Sequence, residues 1–342
     1  MAERVVLHVG AMKSGTSFVQ DQLFANRDLL AERGVQLPGR KWDDQVLAVT
    51  EVLGRRAGGL GDNTGTWARL VEEVRAHDGT AVVSMEFLGP AGPPTIQRVL
   101  GDLGPVTVVV TARDLNRSIP AMWQETVQNG RSWTFAEYVE GVRRARPRPN
   151  RPREDVGEAG RTFWRQQNLV RICRAWQASP GGVVLATVPG PGAPRDLLMR
   201  RFAEAAGFDP AGLVEPRRAN ESLGVASTLA LRRLNEVLSE RGRDYPYGAH
   251  VRKQRLAKRI LAARRPDEAP IGLPVADWVR AHSARTVTAL RDLGVRLVGE
   301  WSDLDPVEVP GTDPDAVPEA DVAEAAIAGL AGLVADAARS RR

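Results

Sequence analysis

The chain has one cysteine in 342 residues, Cys173, so no internal disulfide can form. Beside Ile172 on a helical stretch, that thiol reads as buried packing. No apolar run approaches the roughly 18 residues of a membrane helix, which excludes an integral membrane segment of that kind. Zinc-type spacing of Cys and His is missing, as are a basic helix with heptads and an aromatic RNA-binding motif. The net charge of +5, carried almost entirely by arginine, therefore reads as charge spread over solvated faces, with no nucleic-acid partner. There is no internal repeat, and the first residues lack a basic-then-apolar leader, so a cytoplasmic protein is expected.

What is present is an ordinary globular composition, 43% hydrophobic and 26% charged, with enough chain for one large α/β domain or two small ones. Three apolar runs without alternation, at 5–9, 80–87 and 106–112, predict parallel strands covered on both faces. Helical segments separate them, which predicts a doubly wound sheet whose ligands bind at the carboxyl ends of the strands. Asn26 is placed to cap a short helix carrying Leu29 and Leu30, Gly34 to stop it, and 35–38 to form a brief edge strand. Residues 41–77 read as two helices around a mobile loop containing Gly58, Gly59 and Gly61.

After the third strand, Ile119, Met122, Trp123, Thr126 and Val127 recur at helical spacing, with Pro120 in the first turn and Gly130 closing. Residues 141–160, rich in arginine and proline, read as a surface loop. A helix over 162–178, a strand over 183–188 and a helix over 197–206 follow, and the chain beyond 217 is mostly helical, over 222–240, 250–263 and 275–293. A last helix over 319–338 puts Ile327, Leu330 and Val334 on one face, expected to dock on the body or on a second subunit.

The chemistry concentrates at His8 to Leu23, HVGAMKSGTSFVQDQL. A strand, a glycine loop and a helix N-terminus in succession direct backbone N–H groups and the helix dipole at one point, which suits an anion, and Lys13 adds a full positive charge. The nucleoside-triphosphate signature G-x-x-x-x-G-K-[ST] requires lysine where Thr16 stands. The lysine lies instead two places upstream of Gly15.

That arrangement, K-S-G-T-S directly after a strand, resembles the 5′-phosphosulfate loop of sulfotransferases that use 3′-phosphoadenosine 5′-phosphosulfate (PAPS). The stretch VVVTARDLNRSIPAMW resembles the same family's 3′-phosphate segment, which has an arginine at a strand end and a serine eight positions later. Arg113 fits the first position; Ala121 stands at the second, and Ser118, one helical turn earlier, is the nearest hydroxyl. RRANESLG, with Arg217 and Arg218, is a looser echo of a later basic segment. The likeness is good over the first 125 or so residues and is one of pattern beyond.

The resemblance implies a three-layer α/β fold of P-loop type, with a central parallel sheet and a helical C-terminal part, over 1–310, followed by a tail at 311–342 with an amphipathic helix. It implies sulfuryl transfer to a hydroxyl of a small molecule or carbohydrate without a metal. Lys13, Ser14, Gly15, Thr16 and Ser17 would hold the phosphosulfate, and Arg113 and Ser118 the 3′-phosphate. Glu86, ending the second long strand, is the expected base, since in branches of the family a histidine or glutamate does that work from the corresponding strand. His8 is the rival, but its place inside a strand suits a core histidine. Trp42, Trp67, Trp123 and Trp133 are candidate acceptor-pocket residues, though each suits core packing better. Two other functions are consistent with the residues: an ATP-dependent kinase on the same fold, and a nucleotide-binding module without catalysis, which Ala121 favours.

Overall fold

Strands apolar on both sides must be covered on both sides, and the computed structural model, which describes residues 2–56, 60–147, 156–215 and 222–339, achieves this with helices above and below one sheet. In chain order the elements begin β1 (Arg4–His8), α1 (Thr16–Ala25), α2 (Arg27–Glu32), β2 (Val35–Gln36), α3 (Trp42–Val52), α4 (Thr66–Ala76), β3 (Thr80–Ser84), α5 (Pro93–Leu103) and β4 (Val106–Ala112). Then come α6 (Leu115–Gln128), α7 (Phe135–Ala145), α8 (Glu158–Gln167), α9 (Leu169–Trp176), β5 (Val183–Thr187), α10 (Leu197–Ala206) and α11 (Val225–Glu240). A π-helical stretch (Val251–Leu261), α12 (Asp277–Asp292), β6 (Arg296–Val298) and α13 (Glu319–Arg339) complete the chain.

The chain forms two compact units. The first comprises Met1–Leu115, Arg165–Asn220 and Arg280–Asp305, and holds the whole sheet. The second comprises Asn116–Trp164, Glu221–Val279 and Pro306–Arg342.

In the first unit the sheet order is β2-β3-β1-β4-β5-β6, parallel throughout. The two faces sort by residue parity. Val5 and Leu7 of the first strand and Val9 just after it, with Ala81, Val83, Val108 and Val110, join a core roofed by α3, α4, α5 and α9. Val6, Val82, Val109 and Val184 join a second core under α1 and α10, around Val19, Leu23 and Phe202. This is the expected three-layer α/β arrangement with a central parallel sheet, and most of the later chain is helical.

Several local expectations are corrected. Asn26 does cap α2 in position, but its side chain bonds the Gln22 and Val214 carbonyls and the Val214 N–H, pinning a distant segment in place of capping. The strand expected over 80–87 stops at Ser84, and Glu86–Leu88 is a single 3-10 turn. Pro120 lies inside α6 and not in its first turn. The helix expected over 162–178 is two, because the Asn168 side chain accepts the Arg171 N–H and restarts it. The short strand β6 was not foreseen, three residues being too few to show a period. Gly58 and Gly59 of the expected glycine loop lie outside the described residues.

The largest correction falls on 141–160. Its two ends are helical, 141–145 closing α7 and 158–160 opening α8; 148–155 lie outside the described residues. A capping box between Thr134 and Glu137 launches α7, and Gly141 and Gly160 then mark where the two helices touch. A Cβ on Gly160 would sit 2.3 Å from the Gly141 carbonyl oxygen and 2.2 Å from the Ala145 Cβ. Both glycines serve a close helix approach, not a turn. In the same unit, α13 packs through Val322, Ala325 and Gly329, while Ile327, Leu330 and Val334, expected to dock on the body or on a second subunit, are not covered by the body and stay exposed.

Gly160→Ala is accordingly expected to lower stability by about 1–3 kcal/mol through overpacking. Gly101→Ala, in α5 with nothing within 4 Å of the new Cβ, is expected to raise it by roughly 0.5–1 kcal/mol. Urea unfolding of the two variants beside the parent checks both signs.

Candidate functional site

The strand order reverses between β1 and β4, since the chain proceeds from β1 to one side through β2 and β3 and later to the other through β4, β5 and β6. In a doubly wound sheet the ligand crevice opens at this switch point, beyond the carboxyl ends of the strands. The loop carrying Lys13 follows one flanking strand, and Arg113 follows the other.

The loop is tied to β4 before it turns away. Ala11 N–H donates to the Thr111 carbonyl at 2.8 Å, and Thr111 N–H to the Gly10 carbonyl at 2.6 Å. Ser14 fastens the turn: its hydroxyl is 2.8 Å from the Thr111 carbonyl and 2.9 Å from Thr111 Oγ1, also meets the Ala11 carbonyl, and is 1% exposed. The hydroxyl expected to face a phosphosulfate is thus turned into the protein. Gln167 Nε2 braces the loop from α8 by donating to the Met12 carbonyl.

Lys13 is half-buried and has φ +60°, so it occupies the left-handed region that favours glycine, at a cost of about 1 kcal/mol. Gly15 follows at φ +79°, where a Cβ would lie 2.4 Å from Leu198 Cδ2, so close packing with α10 adds to the need for glycine. The helix then starts, and Val19 N–H is the donor to the Gly15 carbonyl at 3.1 Å. The N–H groups of Thr16, Ser17 and Phe18 precede any carbonyl of the helix that they can reach, and they point outward at its positive end. Thr16 is buried and Ser17 exposed.

On the other side of β1, Glu86 packs against the same loop: a Cβ on Gly10 would lie 3.4 Å from Glu86 Cβ. Its carboxylate Oε2 accepts from Gln20 Nε2 at 2.9 Å, and the same amide reaches the Ser84 carbonyl at 3.2 Å. Gln20 was not anticipated. The signal was available, for it stands next to Val19 on the packed side of α1, where a buried amide needs partners. Thr111 was also passed over, as the one hydroxyl in the run VVVTA.

His8 is fully buried; Nδ1 lies 2.8 Å from Ser84 Oγ and Nε2 3.1 Å from Thr111 Oγ1. Both ring nitrogens thus meet hydroxyls, and the Thr111 hydroxyl lies also within 2.9 Å of Ser14 Oγ and 3.2 Å of the Gly10 carbonyl. Burial lowers this imidazole from its ordinary 6.5 to about 3, so it is a neutral core group bonded to two hydroxyls. Cys173 is likewise buried, its thiol pushed up to about 12.

The next strand end is closed. Thr187 at the tip of β5 donates to Asp303 Oδ2 at 2.6 Å, and Arg201 Nη1 bonds the same carboxylate at 2.8 Å and the Thr187 carbonyl at 2.9 Å. Ser118 is buried in α6, in the second unit, and Arg217 and Arg218 lie outside the described residues. Trp67 and Trp123 are core residues whose indoles donate to Asp102 and to the Trp133 carbonyl; Trp42 and Trp133 are half-buried. Among the described residues no group of three His, Cys, Asp or Glu side chains is arranged to hold a metal ion, and no helix is long and apolar enough to cross a membrane. No protein-family model, curated protein or solved structure matches this chain.

The His8 environment predicts an acid-sensitive fold. Below pH 6.5 the unfolded chain binds a proton at His8 that the folded chain rejects down to about pH 3, so this stability is complete above 6.5 and falls as the pH drops. The slope is about 1.4 kcal/mol per pH unit. Burial also lowers His282, from 6.5 to about 4, so urea midpoints between pH 6.5 and 5, above most carboxylate titration, are expected to fall in the parent and to fall less steeply, without flattening, in His8→Asn.

Proposed function

We propose that this protein is a PAPS-dependent sulfotransferase acting on a hydroxyl of a small molecule or carbohydrate. The observation that carries the reading is the pairing at the switch point: a lysine-bearing glycine loop after β1 and an arginine after β4, tied together by the Gly10, Ala11 and Thr111 backbone bonds. Two cationic groups flanking one crevice suit a donor with phosphate at both ends. The shifted lysine and the sequence likeness favour the sulfuryl donor over a triphosphate.

PAPS supplies an activated sulfuryl group: the acceptor oxygen bonds sulfur as the bond from sulfur to the 5′-phosphate breaks, leaving 3′,5′-adenosine bisphosphate. Lys13 and the first N–H groups of α1, from Thr16 and Ser17, are assigned to the 5′-phosphate oxygens, where negative charge grows as that bond breaks. Gly15 lets the backbone turn there, and Ser14 acts by holding the turn. Arg113 is assigned to the 3′-phosphate; Ser118 has no part in this assignment. Glu86 receives the acceptor's hydroxyl proton on its carboxylate, while Gln20 fixes the orientation of that carboxylate through Oε2.

Calorimetry with 3′,5′-adenosine bisphosphate and with Mg·ATP is expected to show binding of the bisphosphate alone. Uptake of Mg·ATP instead would establish the kinase reading. Bisphosphate binding with no transfer of labelled sulfate from PAPS to a broad acceptor panel would leave a binding module.

Lys13→Ala is expected to cut turnover by about 10²–10³-fold, the scale for removing one donor to a developing anion. Circular dichroism of the variant should match the parent, since the left-handed backbone at Lys13 is no easier with lysine than with alanine. Glu86→Gln is expected to lower kcat by roughly 10²–10⁴-fold with bisphosphate binding unchanged, as for loss of a general base. Steady-state kinetics beside calorimetry separates these effects, and parental rates in either variant would remove that residue from the scheme.

A further inference from the structure

Ala11, Met12, Lys13 and Ser14 close a turn: Ser14 N–H donates to the Ala11 carbonyl at 3.3 Å, and the Ser14 hydroxyl meets the same carbonyl. Of the two central residues, Lys13 has a positive φ of +60° and Met12 does not, which makes this a type II turn. A type I turn closes with the same outer bond and differs in its central peptide, which is turned over. Type II favours glycine or asparagine where Lys13 stands, so lysine by itself prefers the type I form. Something outside the turn must hold the Met12–Lys13 peptide over.

We propose that Gln167 is the positioning residue of this loop, holding its central peptide in the type II orientation so that the Lys13 N–H is presented to the anion. Gln167 Nε2 donates to the Met12 carbonyl at 2.5 Å, and that carbonyl belongs to the central peptide. Across a trans peptide the N–H points opposite to the C=O, so drawing the Met12 carbonyl toward Gln167 turns the Lys13 N–H away from it. In the type I form the carbonyl would leave Gln167, and a buried amide would lose that partner. The place of Gln167 is itself fixed: it is the last residue of α8, and the Asn168 side chain accepts the Arg171 N–H to start α9 immediately after it. Gln167, the turn and α1 all lie in the first unit. The role of Gln167 toward an anion rests on the reading of this loop as the phosphosulfate site, whereas its hold on the turn does not.

Two variants of the full chain test this. Gln167→Met keeps the length of the side chain and removes the donor, and Gln167→Glu keeps a donor only while protonated. Burial beside a carbonyl raises such a carboxyl, so lowering the pH from about 8 to about 6 restores the donor in Gln167→Glu. The sign of φ at Lys13 is read without ligand, from backbone NMR shifts and the intraresidue HN–Hα distance, and affinity for 3′,5′-adenosine bisphosphate by calorimetry. Gln167→Met is expected to move Lys13 toward negative φ and to weaken the bisphosphate roughly 3–10-fold, the scale of one hydrogen bond. Gln167→Glu is expected to resemble Gln167→Met at the higher pH and to approach the parent at the lower one in both readouts, each compared with the parent at the same pH. If Gln167→Met does not fold, the two pH values of Gln167→Glu make the same comparison within one chain. A Lys13 that keeps positive φ without the donor, or an affinity that does not follow φ, would overturn the proposal. A parent that ignores the bisphosphate would remove the phosphosulfate reading and this role with it, whichever φ the variants show.

Discussion

The pairing of β1 with β4 is the constraint on which the site depends. These strands are distant in sequence, yet their register continues past the strand ends, where Gly10 and Ala11 exchange backbone bonds with Thr111. That extension decides where the loop leaves the sheet. Lys13 then enters a left-handed conformation, Ser14 turns inward, and α1 begins with its free N–H groups facing the crevice. Moving β1 by one residue against β4 would exchange its two apolar faces and displace the loop together with it.

Buried polar groups at the carboxyl edge do the supporting work. Ser84, His8, Thr111 and Ser14 form a chain of contacts through three neighbouring strands into the loop, and Gln20 links α1 to Ser84 and Glu86. None of these groups is spare, because a buried donor or acceptor without a partner costs about 1–3 kcal/mol. The sites that supply charge, Lys13, Glu86 and Arg113, are half-buried at the rim of this network. A rigid base with charged groups at its edge suits the pre-organised anion site proposed above.

The second unit follows another logic. It is helical, built from close approaches such as that of α7 and α8 at Gly141 and Gly160, and it ends in a helix with one covered and one uncovered apolar stripe. Proline and arginine around 146–157 drew attention to a loop, and the glycines at either side were read as part of it. Glycine serves a helix crossing as well as a turn, and only the partner that approaches it tells the two apart.

Much of the first unit was legible in advance. Apolar runs without alternation set the buried parallel strands, and the glycines after β1 marked the loop that leads into α1, because those features are local. Strand order, the tie between Gly10 and Thr111, the contact of Glu86 with Gln20 and the inward turn of Ser14 arise from residues up to about a hundred positions apart, which no local period encodes. The same holds for α13. Its spacing announced an apolar face, but two stripes compete on that helix, and the chain's own packing decided that Val322, Ala325 and Gly329 would be covered while Ile327, Leu330 and Val334 would face outward.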